Sequence, residues 1–258
     1  MNVESYAAIA PSDTLFIHGN LASNTWWEPS IEIWKKLAQP GFEGRFLLGE
    51  WRGCGKSPAP ASAEDLAPSQ LADDYIKELR ARGVTKTSVV AHSTGGLIAL
   101  YAMLKAPELF DRAVLLDPVG ASGVQFEKAS LDAFTQMSRD KAYCATVMGA
   151  TIHGNDPASP LFKRIVDDAF GVAKENWHGV PAALRNIDIS ADLAKIQHPI
   201  LVLHGQHDVI LPVTPSEELA KGLPNGQFKL LKDQGHSANV ENPPLFVELV
   251  NDFLFNRK

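Results

Sequence analysis

The feature that most constrains the fold is a series of short, β-rich apolar runs that are continuous rather than alternating. They lie at 14–17, 45–48, 87–91, 112–116, 199–203 and 227–231, and two of them stop at a His-Gly pair, His18-Gly19 and His204-Gly205. A strand with one wet face alternates apolar and polar residues. An unbroken run suits a strand covered on both faces, as in a parallel sheet between helix layers. Helix-like segments separate the runs at about 69–82, 94–106, 215–222 and 244–256. In the second of these, Leu97, Leu100, Tyr101 and Leu104 recur at helical spacing until Pro107 ends the pattern. Alternating strand and helix force right-handed crossovers, so the expected fold class is α/β with a mostly parallel, doubly wound sheet.

The alternation stops between 119 and 195, a stretch that reads as helices only, at 129–138, 141–148, 161–170 and 181–186. The expected organisation is a core of 1–118 and 196–258 with 119–195 inserted as a helical cap. Composition excludes several function classes. The 258 residues carry a net charge of −6 and no Lys/Arg-rich stripe, so neither nucleic acid nor an anionic membrane is an expected partner. No apolar run approaches the ~18 residues of a membrane span. The first residues lack the basic and apolar regions of a secretory signal. Two thiols, Cys54 and Cys144, cannot make a disulfide framework or a thiolate zinc site. The expectation is a cytoplasmic monomer or homodimer that acts on a small molecule without a metal.

Ala91-His92-Ser93-Thr94-Gly95-Gly96 follows one apolar run and opens a helix. A serine in so tight a strand-to-helix turn presents its hydroxyl above the sheet. The residues two before and two after it must be small, because strand and helix backbones nearly touch there. Ala91 and Gly95 meet that need, although Gly is commoner at the first position. Alone, this could be an ordinary βα turn with an incidental serine; the other motifs weigh against that. An attacked carbonyl needs two preorganised N–H donors. Thr94 offers one at a helix N-terminus, whose dipole favours negative charge, and Asn20 offers another in the loop after Gly19. A serine nucleophile also needs a base, and a neutral His needs a carboxylate to set its tautomer. Asp208, in Gly205-Gln206-His207-Asp208, and His236, in Gln234-Gly235-His236, each follow an apolar run. Ser93, Asp208 and His236 thus fall at C-terminal strand ends, the edge at which open α/β sheets bind ligands.

On these residues, together with Trp51-Arg52-Gly53-Cys54-Gly55-Lys56-Ser57, the chain resembles the α/β-hydrolase superfamily from 14 to about 255. The resemblance implies a serine hydrolase with Ser93, Asp208 and His236 as its triad and the N–H groups of Asn20 and Thr94 as its oxyanion hole. It implies cleavage of a carboxylic ester, or a similarly activated acyl bond, of a small to medium organic molecule through an acyl-enzyme, with no cofactor. The insertion resembles the cap that many members carry after the family's sixth strand. Serine at the elbow, where dehalogenase and epoxide-hydrolase relatives place Asp, disfavours those chemistries. C–C bond hydrolysis and cofactor-free perhydrolysis use the same triad and remain alternatives, although Asn20 stands where the perhydrolase relatives carry an aromatic residue. A small-molecule receptor that keeps the triad is the alternative from outside enzymology.

Two departures from the family pattern stand out. Only 13 residues precede Thr14, so one antiparallel strand near 4–9 is expected at the sheet edge in place of the usual hairpin. Leu48-Gly49-Glu50-Trp51 precedes Arg52-Gly53 where Asp-x is more usual; Glu50 and Trp51 could line the mouth of the site, and the favoured reading is that they are structural. Asp117, ending the run 112–116, is another position at which some members place the acid. The 28 residues from Asp208 to His236 match the usual step and favour Asp208, leaving Asp117 as a loop anchor or a polar group beside the pocket. Leu21, Trp26, Trp27, Asp117, Phe134, Met137 and Phe162 are the expected pocket residues, apolar walls for an acyl chain with a few polar groups at the sheet edge. His204-x-x-His207-Asp208 has ligand-like residue types but no third His or carboxylate nearby. His92 is expected to pack within the elbow.

Overall fold

The computed structural model describes residues 1–255. Seven strands form one sheet: β1 (Asn2–Ala10), β2 (Thr14–Ile17), β3 (Gly44–Glu50), β4 (Thr87–His92), β5 (Phe110–Leu116), β6 (Ile200–Gly205) and β7 (Gly226–Leu231). Their spatial order is β1-β3-β2-β4-β5-β6-β7. β1 runs antiparallel to β3 and every other pairing is parallel. The sheet is therefore α/β and mostly parallel, with one antiparallel strand at its edge. Counted along this chain, the strand before the helical insertion is the fifth, because a single strand stands at that edge.

The helices are α1 (Glu28–Leu37), α2 (Pro68–Ala81), α3 (Thr94–Lys105), α4 (Lys128–Met137), α5 (Lys141–Ala150), α6 (Pro160–Phe170), α7 (Asn176–Leu184), α8 (Val213–Gly222), α9 (Ala238–Glu241) and α10 (Pro243–Leu254). The sequence pattern takes the last core helix to 256, and that final position lies outside the described residues. Successive strand residues point to opposite faces of the sheet. Leu15 and Ile17 of β2 join one apolar cluster with α2, α3 and α8, whereas Phe16 joins the other, with Trp27 and with Trp34 and Phe246 of α1 and α10. Both faces of the central strands β2, β4 and β6 are buried, which is why those strands read as continuous apolar runs, whereas the edge strand β7 leaves Gln227, Lys229 and Leu230 exposed.

Between β5 and β6 the described residues form α4 to α7 and no strand. α7 begins at Asn176, so Pro181 lies inside it and not at its start. Trp177, Val180 and Leu184, one face at helical spacing, are all buried, and that packing outweighs the hydrogen bond Pro181 cannot make. Polar links tie the later helices to the core. Asp168 of α6 accepts from the hydroxyls of Ser23 and Thr25, both at 2.6 Å. Asn176 donates to the Arg52 carbonyl at 2.9 Å, and the N–H of Ala173 donates to the Gly53 carbonyl at 2.8 Å. α4 is attached more lightly: Met137 is its one buried residue.

Candidate active site

Ser93 joins β4 to α3 with φ 54° and ψ −122°, a backbone conformation that costs a non-glycine residue roughly 1–3 kcal/mol. Its surroundings hold it there. The Ser93 N–H donates to the Leu116 carbonyl at 2.9 Å, and its carbonyl accepts from Gly96 and Val119 at 2.9 and 3.1 Å. A Cβ on Gly95 would lie 2.4 Å from the Ile17 carbonyl oxygen, so the first turn of α3 can approach β2 only with glycine there. Leu21 and Asp117 also have positive φ, 52° and 44°. Three strained residues thus sit where β2, β4 and β5 end.

Asp208 and His236 come from loops that follow β6 and β7. Asp208 Oδ2 lies 2.7 Å from His236 Nδ1, and Asp208 Oδ1 accepts the N–H groups of Ile210 and Leu211 at 2.7 and 3.0 Å. The two loops pack backbone to backbone: a Cβ on Gly205 would lie 1.9 Å from the Gly235 carbonyl oxygen. Burial opposes ionisation of both side chains, yet their mutual hydrogen bond prevails. Asp208, further stabilised by its two N–H donors, sits below the usual carboxylate range, and His236 sits above the ordinary imidazole value.

Asp117 is fully buried behind this pair. Its Oδ1 accepts the Gly205 N–H at 2.7 Å and its Oδ2 has no hydrogen-bond partner among the described residues. Burial, reinforced by the Asp208 charge, pushes its carboxyl well above the usual range. Burial thus disfavours the charged form of Asp117, and the largest support for the charged form of His236 comes from Asp208. His92 donates from Nε2 to the His236 carbonyl at 2.7 Å, and burial depresses its pKa to about 3, so it stays neutral. His18 is buried and stacked on Trp51, and burial lowers its pKa to about 4. Glu50 accepts N–H groups from Asn24 and Lys56. Glu50 and Trp51 are both buried and structural.

Ligand-type atoms of His92, Asp117 and His236, and of Asp117, His204 and Asp208, lie within 4.8 Å of one another. Within these groups His236 Nδ1, His92 Nε2 and one oxygen of Asp117 already bond to protein partners. His207 is not in either group; it is exposed and stacks on His153 with ring centres 4.6 Å apart.

Ser93 and His236 open onto one cavity of about 770 Å³, whose lining also includes Asn20, Leu21, Trp26, Phe134 and Met137. The remaining expected pocket residues do not line it. Trp27 follows Trp26 within a one-turn 3-10 segment, Asn24–Trp27, and so faces the opposite way, against Phe16 and Phe246. Phe162 is buried and directed at α5, its ring 3.5 Å from where a Cβ on Gly149 would be. Asp117 is turned by its positive φ toward Gly205 and away from the cavity. Thr94 is buried and does not line it; as the first residue of α3, its N–H has no partner within the helix. Asn20 turns its side chain onto the Leu21 N–H at 2.9 Å.

Two wall segments lie outside the expected pocket residues: Val209–Pro212, and the stretch from Pro118 to Ser130, in which Phe126 alone reads from the sequence as a residue that could roof a cavity. The first carries a signal, since Val-Ile-Leu-Pro is apolar where a loop is normally polar. Val209 remains 72% exposed and Ile210 42%.

The family model described as alpha/beta hydrolase fold matches residues 15–243. The chain is 32% identical over 262 residues to the putative carbamate hydrolase RutD of Agrobacterium fabrum, covering 95% of this chain and 94% of that protein. An esterase from Exiguobacterium antarcticum superposes with a TM-score of 0.86 at 20% identity, over 97% of this chain and 94% of the other. A bromoperoxidase from Bacillus anthracis superposes with a TM-score of 0.85, also at 20% identity, over 98% and 94%. At 20% identity these two structures report a shared fold and not a shared substrate.

Proposed function

Because the chain belongs to the alpha/beta hydrolase family and is a hydrolase, we propose that it cleaves a carboxylic ester, or a similarly activated acyl bond such as a carbamate, through an acyl-enzyme on Ser93. The observation that carries this reading is the Asp208–His236 hydrogen bond of 2.7 Å at the cavity that a strained Ser93 shares.

In this reading His236 takes the Ser93 proton on Nε2, since Nδ1 is committed to Asp208, while Oγ attacks the carbonyl. Asp208 orients the imidazole and stabilises its charged form without itself accepting the proton. The N–H groups of Thr94 and Asn20 receive the developing oxyanion, the first at the positive end of α3. His236 then protonates the leaving group, and water assisted by the same imidazole releases the acid. The segment 119–195 acts as a lid whose helix α4, with Phe134 and Met137, walls the acyl side of the cavity.

A serine-directed fluorophosphonate tests the assignment. It should label Ser93 alone, and Ser93→Ala should lose both labelling and roughly 10⁴-fold or more of multiple-turnover ester cleavage. Labelling at another serine, or a single turnover followed by arrest, would contradict it; arrest is the behaviour of a receptor.

A further inference from the structure

The cavity has a charge character that its shape alone does not reveal. Among the described residues no Lys or Arg lines it, and its ionisable residues are His92, His236 and an exposed Glu127. His92 is held neutral, and His236 is engaged by Asp208. Lys128 and Lys141, at the starts of α4 and α5, reach exposed carboxylates outside the cavity, Asp132 at 2.5 Å and Asp167 at 2.6 Å, and neither lines it. Arg185 offers its carbonyl to Gln125 and does not line the cavity. The positive end of α3 points at the reacting oxygen, so it cannot also neutralise a charge farther along the substrate.

We propose that this cavity selects uncharged substrates and rejects those that carry a carboxylate on the acyl side, with the cation-free wall and Glu127 as the specificity determinants. This rests on the acyl-hydrolase reading above and narrows its substrate class. A carboxylate moved from water to such a wall finds no counter-charge and enters as the neutral acid. With a free pKa of about 4.5, protonation at pH 7 limits discrimination to roughly 300-fold, and partial hydration at the open mouth reduces it. A ratio between about 10 and 300 is expected.

The test compares p-nitrophenyl hydrogen adipate with its methyl p-nitrophenyl diester, which differ in charge and one methyl group, by nitrophenol release corrected for the uncatalysed rate. The diester-to-half-ester ratio of kcat/KM should rise between pH 6 and 8, by up to tenfold per unit. Titration of His236 affects both substrates and cancels in the ratio. Val209→Lys, on the exposed rim, and Phe134→Lys, on the wall, should each lower the ratio at least fivefold, and Glu127→Gln about twofold. A wild-type ratio within twofold of one at pH 8, with Ser93-dependent turnover of both esters, would overturn charge selection and leave the hydrolase reading intact. If neither ester turns over, the ester reading fails. Titration calorimetry of both compounds on Ser93→Ala protein then decides: tighter binding of the diester supports charge selection, and equal binding overturns it.

Discussion

Replacing Gly205 by Ala isolates the contact that holds the acid loop against the base loop. The added Cβ would start 1.9 Å from the Gly235 oxygen, with the Gln234 oxygen at 2.7 Å, both backbone atoms with no rotamer to escape by. Reaching the 3.0 Å below which real Cβ contacts essentially never occur requires the loops to part by about 1.1 Å. Asp208 travels with Gly205, because its N–H donates to the Gly205 carbonyl at 3.1 Å. The Asp208–His236 separation of 2.7 Å would then open to about 3.8 Å, beyond hydrogen-bonding range. A displacement near 1 Å costs on the order of 10² in rate, and overpacking costs roughly 1–3 kcal/mol of stability. The pH profile separates a lost hydrogen bond from a general loss of folded enzyme. In the wild type Asp208 holds the His236 pKa above its ordinary value; without that support burial dominates and pulls it below. The expected result, per active site titrated with a fluorophosphonate, is a 10²-fold drop in kcat/KM and an acid limb moved to lower pH. Wild-type kcat/KM with an unmoved limb would refute the argument that Gly205 holds the two loops in register.

In the wild type, His236 must be neutral to act as base, so kcat/KM for a neutral ester should rise with pH and reach half its maximum above pH 6.5; a profile flat from pH 5 to 8 would contradict this. Asp208→Asn should cost on the order of 10⁴ in kcat by imposing the wrong imidazole tautomer. Asp117→Asn should cost less than about tenfold, since Asp208 and not Asp117 bonds His236; the reverse ranking would transfer the acid role to Asp117. Phe134→Ala and Met137→Ala should shift the preferred acyl chain length, at about 0.8 kcal/mol per methylene removed from water, while acetate esters keep their turnover. An unchanged ranking from acetate to octanoate in both variants would place selectivity elsewhere.

The strand ends were legible because continuous apolar runs stop abruptly at small or polar residues, and the nucleophile, acid and base candidates are all anchored at those stops. What sequence periodicity does not carry is which way a residue faces once helices dock. Trp26 and Trp27 are neighbours with the same chemistry, yet a single 3-10 turn sends one to the cavity and the other to the opposite face of the sheet. Phe134 and Phe162 are both on insertion helices, but α6 packs behind α5, so Phe162 lies in a second layer. Asp117 could be recognised as a polar residue at a strand end. Its inward turn follows from a positive φ that nothing in the local sequence signals, since Asp117-Pro118 contains no glycine. The apolar loop after Asp208 was readable in principle, and an exposed valine beside a carboxylate is the kind of anomaly that marks a wall.

The positive φ angles of Leu21, Ser93 and Asp117 set limits on how this protein can be made more robust. Each holds roughly 1–3 kcal/mol of unfavourable backbone energy that glycine would release, less what glycine adds to the entropy of the unfolded chain. A library screened for heat resistance alone would therefore favour glycine at the positions that expose the serine and turn Asp117 onto the acid loop, whereas Leu21, a buried side chain worth more than its strain, would be kept. Variants recovered that way would be sturdier and inert. Thermostabilisation of this scaffold has to begin at exposed sites remote from the sheet's C-terminal edge, with turnover scored in every round.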